Sequence, residues 1–169
     1  SINAIVETNF DEAIKICETL DSDSSKKTNG TTSLPLPIGI KDLNDVKGLK
    51  TSYGSPLFKD NVAEEDDDVV SSLRRFSAII FGKTNVPEHG FGATTTNPLQ
   101  GSTGNPFNPD LSAGASTGGG AAAVASGIVP LATGSDFAGS LRTPAGFCGI
   151  AGMMPSNGIV STNRRSNMW

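Results

Sequence analysis

Histidine is almost missing from this chain: among 169 residues only His89 carries an imidazole. Chemistry that depends on a histidine base therefore has a single candidate to build on. Cysteine is scarce too. Cys17 and Cys148 are too few for a disulfide framework, so a reducing, cytoplasmic setting is the default expectation. Positive charge is in the minority, with 13 Lys and Arg against 17 Asp and Glu. A net charge of -4 offers no electrostatic footprint for nucleic acid or for an anionic membrane surface. No apolar run reaches the length of roughly 18 residues that would suggest a membrane span. The first residues, Ser1 to Glu7, lack the basic start and long apolar stretch of a signal peptide. The sequon Asn29-Gly30-Thr31 would matter only in a secreted protein and is read as chance.

Glycine is abundant instead. Of 20 glycines, 15 lie from Gly90 onward. Each costs backbone entropy, so the cluster implies tight turns or close approach of the backbone to something. They alternate with small apolar residues and isolated charges, unlike a flexible linker. The length suits one domain with a modest core.

Periodicity predicts a helix over residues 9–20, with Phe10, Ala13, Ile14, Cys17 and Leu20 on one face and Asn9 with Glu12 as a capping pair. Residues 21–35 read as a polar linker. Pro37 to Ile40 read as a short buried strand, residues 66–76 as a second helix, and Ala78 to Phe81 as a second strand ending at Gly82. The acidic run Glu64 to Asp68 is read as a solvated helix start, where the helix dipole favours negative charge. A third helix over Gly119 to Gly127 and a strand around Ile128 to Thr133 complete an alternation that predicts an α/β fold. Three stretches follow: an N-terminal helix and linker over 1–36, a core over 37–160 and a polar tail over 161–169.

Three segments carry chemistry. Gly114-Ala115-Ser116-Thr117-Gly118 has the form of a nucleophile elbow. An α/β-hydrolase elbow needs a histidine after it, and His89 precedes it. His89, Asp110 and Ser116 do follow the chymotrypsin order, but that arrangement belongs to an all-β pattern this chain lacks. If a serine attacks, lysine is the remaining candidate base. The second segment, Gly134 to Arg142, is a small-residue turn in which several backbone N–H groups can converge, as an oxyanion hole requires. Asp136 and Arg142 flank it and could brace it as a pair. The third is Pro37-Ile38-Gly39-Ile40-Lys41-Asp42. A lysine ending an apolar strand can be desolvated, which disfavours its charged form and suits a general base. Gly118 to Gly120 lack the following Lys-Ser or Lys-Thr of a phosphate-binding loop.

Together these segments resemble the amidase-signature family. Gly114 to Gly127 is similar to its serine- and glycine-rich block, and Gly134 to Gly149 to its G-S-D-x-G-G-S-x-R-x-P-A-x-x-C-G block. Gly39-Ile40-Lys41-Asp42 resembles its lysine strand, Gly82-Lys83-Thr84-Asn85 its G-K-T-N turn, and Asn105-Pro106-Phe107-Asn108-Pro109 its N-P-x-x-P stretch. The blocks come in family order over residues 37–155.

The resemblance implies a mixed, largely parallel sheet flanked by helices, incomplete here. It implies Ser140 as nucleophile, Lys41 as base, and Ser116 as the bridge between them, at a cis peptide. The N–H groups of Phe137, Ala138, Gly139 and Ser140 would hold the oxyanion. No metal and no cofactor is implied. The partner would be a small-molecule amide, with no nucleic acid and no membrane, and a homodimer is admitted for the full-length protein. Residues Val86 to Gly92 would border the acyl pocket, and His89 itself is read as an ordinary surface histidine. Cys148 is read as a small buried residue in a crowded turn, not as a nucleophile. Two positions depart from the family pattern. Ala138 stands where glycine is usual, at a cost if that position needs positive φ, and Thr117 replaces a serine. Family members are far longer at the C-terminus, so the chain is expected to be a piece of a longer enzyme. A general amidase is the first expectation. The glutaminase component of a tRNA-dependent amidotransferase and an inactive remnant are the alternatives.

Overall fold

Strands made of Ile, Val and Gly, alternating with helices that are apolar on one side, bury both faces of a sheet when they pair in parallel. The computed structural model describes residues 1–22 and 35–161 and has this arrangement. Its main sheet is built from β1 (Ile5–Thr8), β2 (Pro37–Lys41), β3 (Ile79–Thr84) and β8 (Leu131–Ala132), in the order β1-β3-β2-β8. β3–β2 and β2–β8 are parallel, and β1 runs antiparallel to β3 at the edge. The expected mixed, largely parallel sheet is therefore present. Between β3 and β8 lie two small hairpins, β4 (Thr96–Asn97) with β5 (Gly101–Ser102) and β6 (Gly104–Asn105) with β7 (Asn108–Ser112). Periodicity predicts neither the hairpins nor β1.

The helices are α1 (Phe10–Ser22), α2 (Asp68–Arg75), α3 (Gly118–Ala125) and α4 (Arg142–Phe147). None among the described residues is long and apolar enough to cross a membrane. Side chains alternate across a strand, and β2 divides accordingly. Ile38 and Ile40 face α2, where they meet Val46, Leu49, Val70 and Ile80. The other face carries α3, whose Ala121, Ala122 and Ala123 pack with Ala4, Ala113, Val129 and Cys148. β2 and β3 do not pair residue for residue. The pairing steps from Ile38 with Ile80 to Gly39 with Gly82, leaving Phe81 as an extra residue on β3.

Several expectations need correction. In α1 the buried residue is Ala13, while Phe10 and Ile14 are exposed and Phe10 meets the ring of Phe81. Asn9 does bond Glu12, as the capping pair requires. The linker expected over 21–35 begins inside α1, and residues 23–34 lie outside the described residues, as do 162–169 of the expected tail. The acidic run before α2 is not simply solvated. Asp67 is buried and accepts from Asn44 Nδ2 at 3.0 Å and Asp45 N at 3.1 Å, and Asp66 pairs with Arg74 at 2.9 Å. The strand expected over 128–133 shrinks to Leu131–Ala132, because Gly127 turns at φ 69° and Pro130 has no N–H to give a ladder.

Candidate active site

Lys41 ends β2 on the α3 face of the sheet. Its N–H is held by Thr133 Oγ1 at 2.9 Å, and the next N–H, of Asp42, by Thr84 O at 3.1 Å. The Lys41 side chain is fully buried. Its Nζ is hydrogen-bonded to three hydroxyls, Ser116 Oγ, Thr117 Oγ1 and Ser135 Oγ, each at 2.8 Å. A buried amine without partners would be costly; here three hydroxyls surround the Nζ, and a neutral amine can donate to two of them and accept from the third.

Ser116 and Thr117 are delivered by the start of α3, and the Ala115–Ser116 peptide is cis. The first turn of α3 is pressed onto the end of β3. Gly119 N donates to Asn85 O at 3.2 Å, and a Cβ at Gly119 would stand 2.3 Å from Asn85 N. Only glycine fits there. Thr95 Oγ1 secures the same turn, accepting from Gly118 N at 3.1 Å and donating to Gly114 O at 2.8 Å. Asn97 Nδ2 donates to Asn85 Oδ1 at 2.8 Å beneath it. These Asn and Thr side chains replace missing backbone ladder partners with bonds of their own.

Ser140 lies in the turn before α4. Its carbonyl accepts from Thr117 N at 3.0 Å, which ties the two serine segments together. Asp136 organises this turn. Its side chain is 1% exposed, and its carboxylate accepts from Gly139 N at 2.7 Å, from Leu141 N and Arg142 N at 3.2 Å, and from Arg142 Nε at 2.9 Å. The Arg142 guanidinium beside it holds the Asp136 carboxyl well below the usual carboxylate range, helped by the backbone N–H groups. The expected brace between Asp136 and Arg142 is therefore formed. It also takes the Gly139 N–H, which was expected to face an oxyanion. Among the described residues no hydrogen bond occupies the N–H of Ala138 or Ser140. Positive φ falls on Gly139 (104°) and not on Ala138, so alanine sits at 138 without the backbone cost that its place in the motif suggests.

A 3₁₀ turn, Glu88–Gly90, overhangs the site. A Cβ on Gly90 would lie 3.8 Å from Ser116 Oγ and 2.8 Å from Leu43 Cδ1. His89, at the apex with φ 51°, is exposed and stacks on Tyr53 and against Phe58. Asp110 stands on the exposed β7, so the order His89, Asp110, Ser116 corresponds to no triad in space. Burial pushes the Cys148 thiol up to about 11, in keeping with an inert packing residue.

Three residues at the site have no role assigned by the sequence alone. Ser135 and Thr117 share Lys41, and Lys83 forms a second buried lysine site. Lys83 Nζ donates to Asp42 Oδ1 at 2.8 Å, Thr51 Oγ1 at 2.9 Å and Lys50 O at 3.0 Å. Ser135 stands in the G-S-D block and Lys83 in the G-K-T-N turn, where the motifs mark them but spacing says nothing of their contacts.

The family model described as Amidase matches residues 1–167. The chain belongs to the amidase family. An indoleacetamide hydrolase of Pseudomonas syringae pv. syringae is 44% identical over 142 residues, 84% of this chain and 31% of that protein. The A component of the glutamyl-tRNA(Gln) amidotransferase of Legionella pneumophila is 39% identical over 160 residues, 95% of this chain and 33% of its own. Among solved structures, a bacterial aryl acylamidase of the amidase-signature enzymes superposes with a TM-score of 0.78 at 35% identity, covering 85% of this chain and 30% of that one. The sheet and helices of this amidase-family chain are thus part of the amidase-signature fold. It spans about a third of the length of the curated relatives it matches.

Proposed function

We propose that the protein hydrolyses a carboxylic amide, with Ser140 as nucleophile, Ser116 as proton bridge and Lys41 as base. The observation that carries this reading is the buried Lys41 Nζ at 2.8 Å from Ser116 Oγ, with the Ser140 segment tied to Thr117. Burial disfavours a charged amine, so Lys41 enters the reaction neutral. Ser140 Oγ attacks the amide carbon and passes its proton to Ser116 as the Ser116 proton moves to Lys41. The carbonyl oxygen becomes an oxyanion facing the N–H groups of Phe137, Ala138 and Ser140, while Gly139 serves the turn through Asp136. The C–N bond then breaks, and the leaving nitrogen takes a proton back through Ser116. Water, deprotonated along the same relay, attacks the acyl-enzyme and releases the carboxylate. The relatives named for amide hydrolysis support the reaction class.

Labelling of the chain by a fluorophosphonate probe, with Ser140→Ala as control, tests the reading. Labelling that requires Ser140 supports it, and equal labelling of the Ser140→Ala variant removes it. A second reading, glutaminase within an amidotransferase, rests on the match to the Legionella amidotransferase component over 95% of this chain. Release of ammonia from glutamine in preference to simple amides would select it.

A further inference from the structure

Two buried lysines end up one strand apart in this fold, and only one belongs to the proposed relay. Lys83 and Lys41 both have fully buried side chains. Their surroundings differ in kind. Lys41 is set among hydroxyls, whereas Lys83 faces the carboxylate of Asp42, the residue that follows Lys41. The three donors of Lys83 find three acceptors, on Asp42, Lys50 and Thr51. The other Asp42 oxygen accepts from Ser52 Oγ at 2.6 Å and Ser52 N at 3.2 Å. The pair thus joins the end of β2, β3 and the 50–52 segment at one buried point.

We propose that the Lys83–Asp42 ion pair is a positioning device for Lys41: it clamps the backbone that aims Lys41 at Ser116, and it cancels the carboxylate next to Lys41 in the chain. The proposal rests on the reading of Lys41 as base.

Asp42 and Lys41 point to opposite faces of β2, yet a bare buried carboxylate one residue away still stabilises an ammonium across the thickness of a strand. The charged groups around the arrangement are Asp42 at the end of β2, Lys83 on β3, Asp45 in the following turn, Asp67 before α2, Asp136 with Arg142 in the turn before α4, and Glu7 on β1 with Lys50 and Lys59, which line a small cavity together with Asp42. Asp136 is held by Arg142 at 2.9 Å. Asp45 and Asp67 act on Lys83 along with Asp42. Removing the Lys83 charge therefore leaves Asp42 as a carboxylate without its ammonium, and Lys41 becomes harder to deprotonate. A merely structural role would loosen the site without moving the titration of Lys41 in one direction.

The test is a pH titration of the Lys41 ε-carbon by NMR on the chain labelled with ¹³C-lysine, with the signal assigned through Lys41→Arg. Lys83→Met is expected to move the Lys41 midpoint upward by about one pH unit. The double variant Asp42→Asn with Lys83→Met is expected to return it to the original value. A folded Lys83→Met with Lys41 titrating as before overturns the proposal, as does a double variant displaced as far as the single one. Should Lys83→Met fail to fold, Lys83→Gln keeps a polar N–H donor on the side chain while removing the charge, and carries the same expectation. This readout needs no turnover. Failure of the amidase reading shows separately, as probe labelling that ignores Ser140.

Discussion

Lys41 Nζ and Ser116 Oγ, 75 residues apart in the chain, lie 2.8 Å from one another with both residues almost sealed from water. The contact exists only when β2 and the first turn of α3 are both in place. It therefore joins folding to chemistry.

Lys41→Met should separate the two. Methionine fills the same space and removes a buried amine, so stability by urea denaturation should be held or raised. The rate of fluorophosphonate labelling should fall by about 10²- to 10⁴-fold, the usual worth of a positioned base. A rate within about twofold of the parent chain would exclude Lys41 as the base.

Asp136→Ala removes the acceptor shared by three backbone N–H groups and Arg142. The turn should lose about 2 kcal/mol of stability, the cost of leaving such donors unpaired, and labelling at Ser140 should slow. The pH dependence has a definite sign. The folded pKa of Asp136 is depressed below its ordinary 3.8. Its contribution is fully present above that value and is lost as pH falls below it through the folded pKa. Acid unfolding curves of Asp136→Asn should be flatter than those of the parent below about pH 4.

Gly119→Ala puts a Cβ against the backbone of Asn85 at 2.3 Å. Backbone cannot yield as a side-chain tip can, so a loss of about 3 kcal/mol or failure to fold is expected. Urea denaturation of this variant beside Gly146→Ala, a helical glycine in α4 whose added Cβ would meet nothing within 4 Å, isolates the packing effect.

Thiol titration should find a single reactive cysteine. Cys17 is exposed, whereas Cys148 is buried with its thiol raised to about 11. One equivalent of Ellman's reagent should react at about pH 8 in the native chain and two in urea. Fast reaction of both in the native chain would mean that the α3–α4 packing around Cys148 opens readily.

Much of the sheet was legible because β2 and β3 are short, strongly apolar and separated by an amphipathic helix, and such a unit pairs in parallel. β1 was not. Its four residues, Ile5-Val6-Glu7-Thr8, carry no clear pattern and gain their place from β3, far along the chain. The hairpins over 96–112 were hidden for another reason: their strands are too short for periodicity, and Asn85, Asn97 and Asn105 hold them through side-chain bonds. For α1 the period was right and the face wrong. Periodicity tells which residues stand together, not what covers them, and Phe10 and Ile14 remain outward while Ala13 goes in. At the site, Lys41, Ser116 and Ser140 were marked by motif. The tie of Gly139 to Asp136 could not be, since it depends on where one backbone N–H points.

The extra residue at Phe81 decides which side of the sheet each lysine occupies. With it, Lys83 stands opposite Ile40 and Lys41 opposite Thr84. Had the strands continued in step from Ile38 with Ile80, Lys41 would have met Lys83 on one face, two ammonium groups contesting the same hydroxyls. Positions along β3 therefore differ in their tolerance of length change. A codon lost at Phe81 flattens the kink and leaves every later partner in place. A codon gained between Gly82 and Thr84 shifts one lysine against the other, and every motif residue survives in a site that no longer assembles.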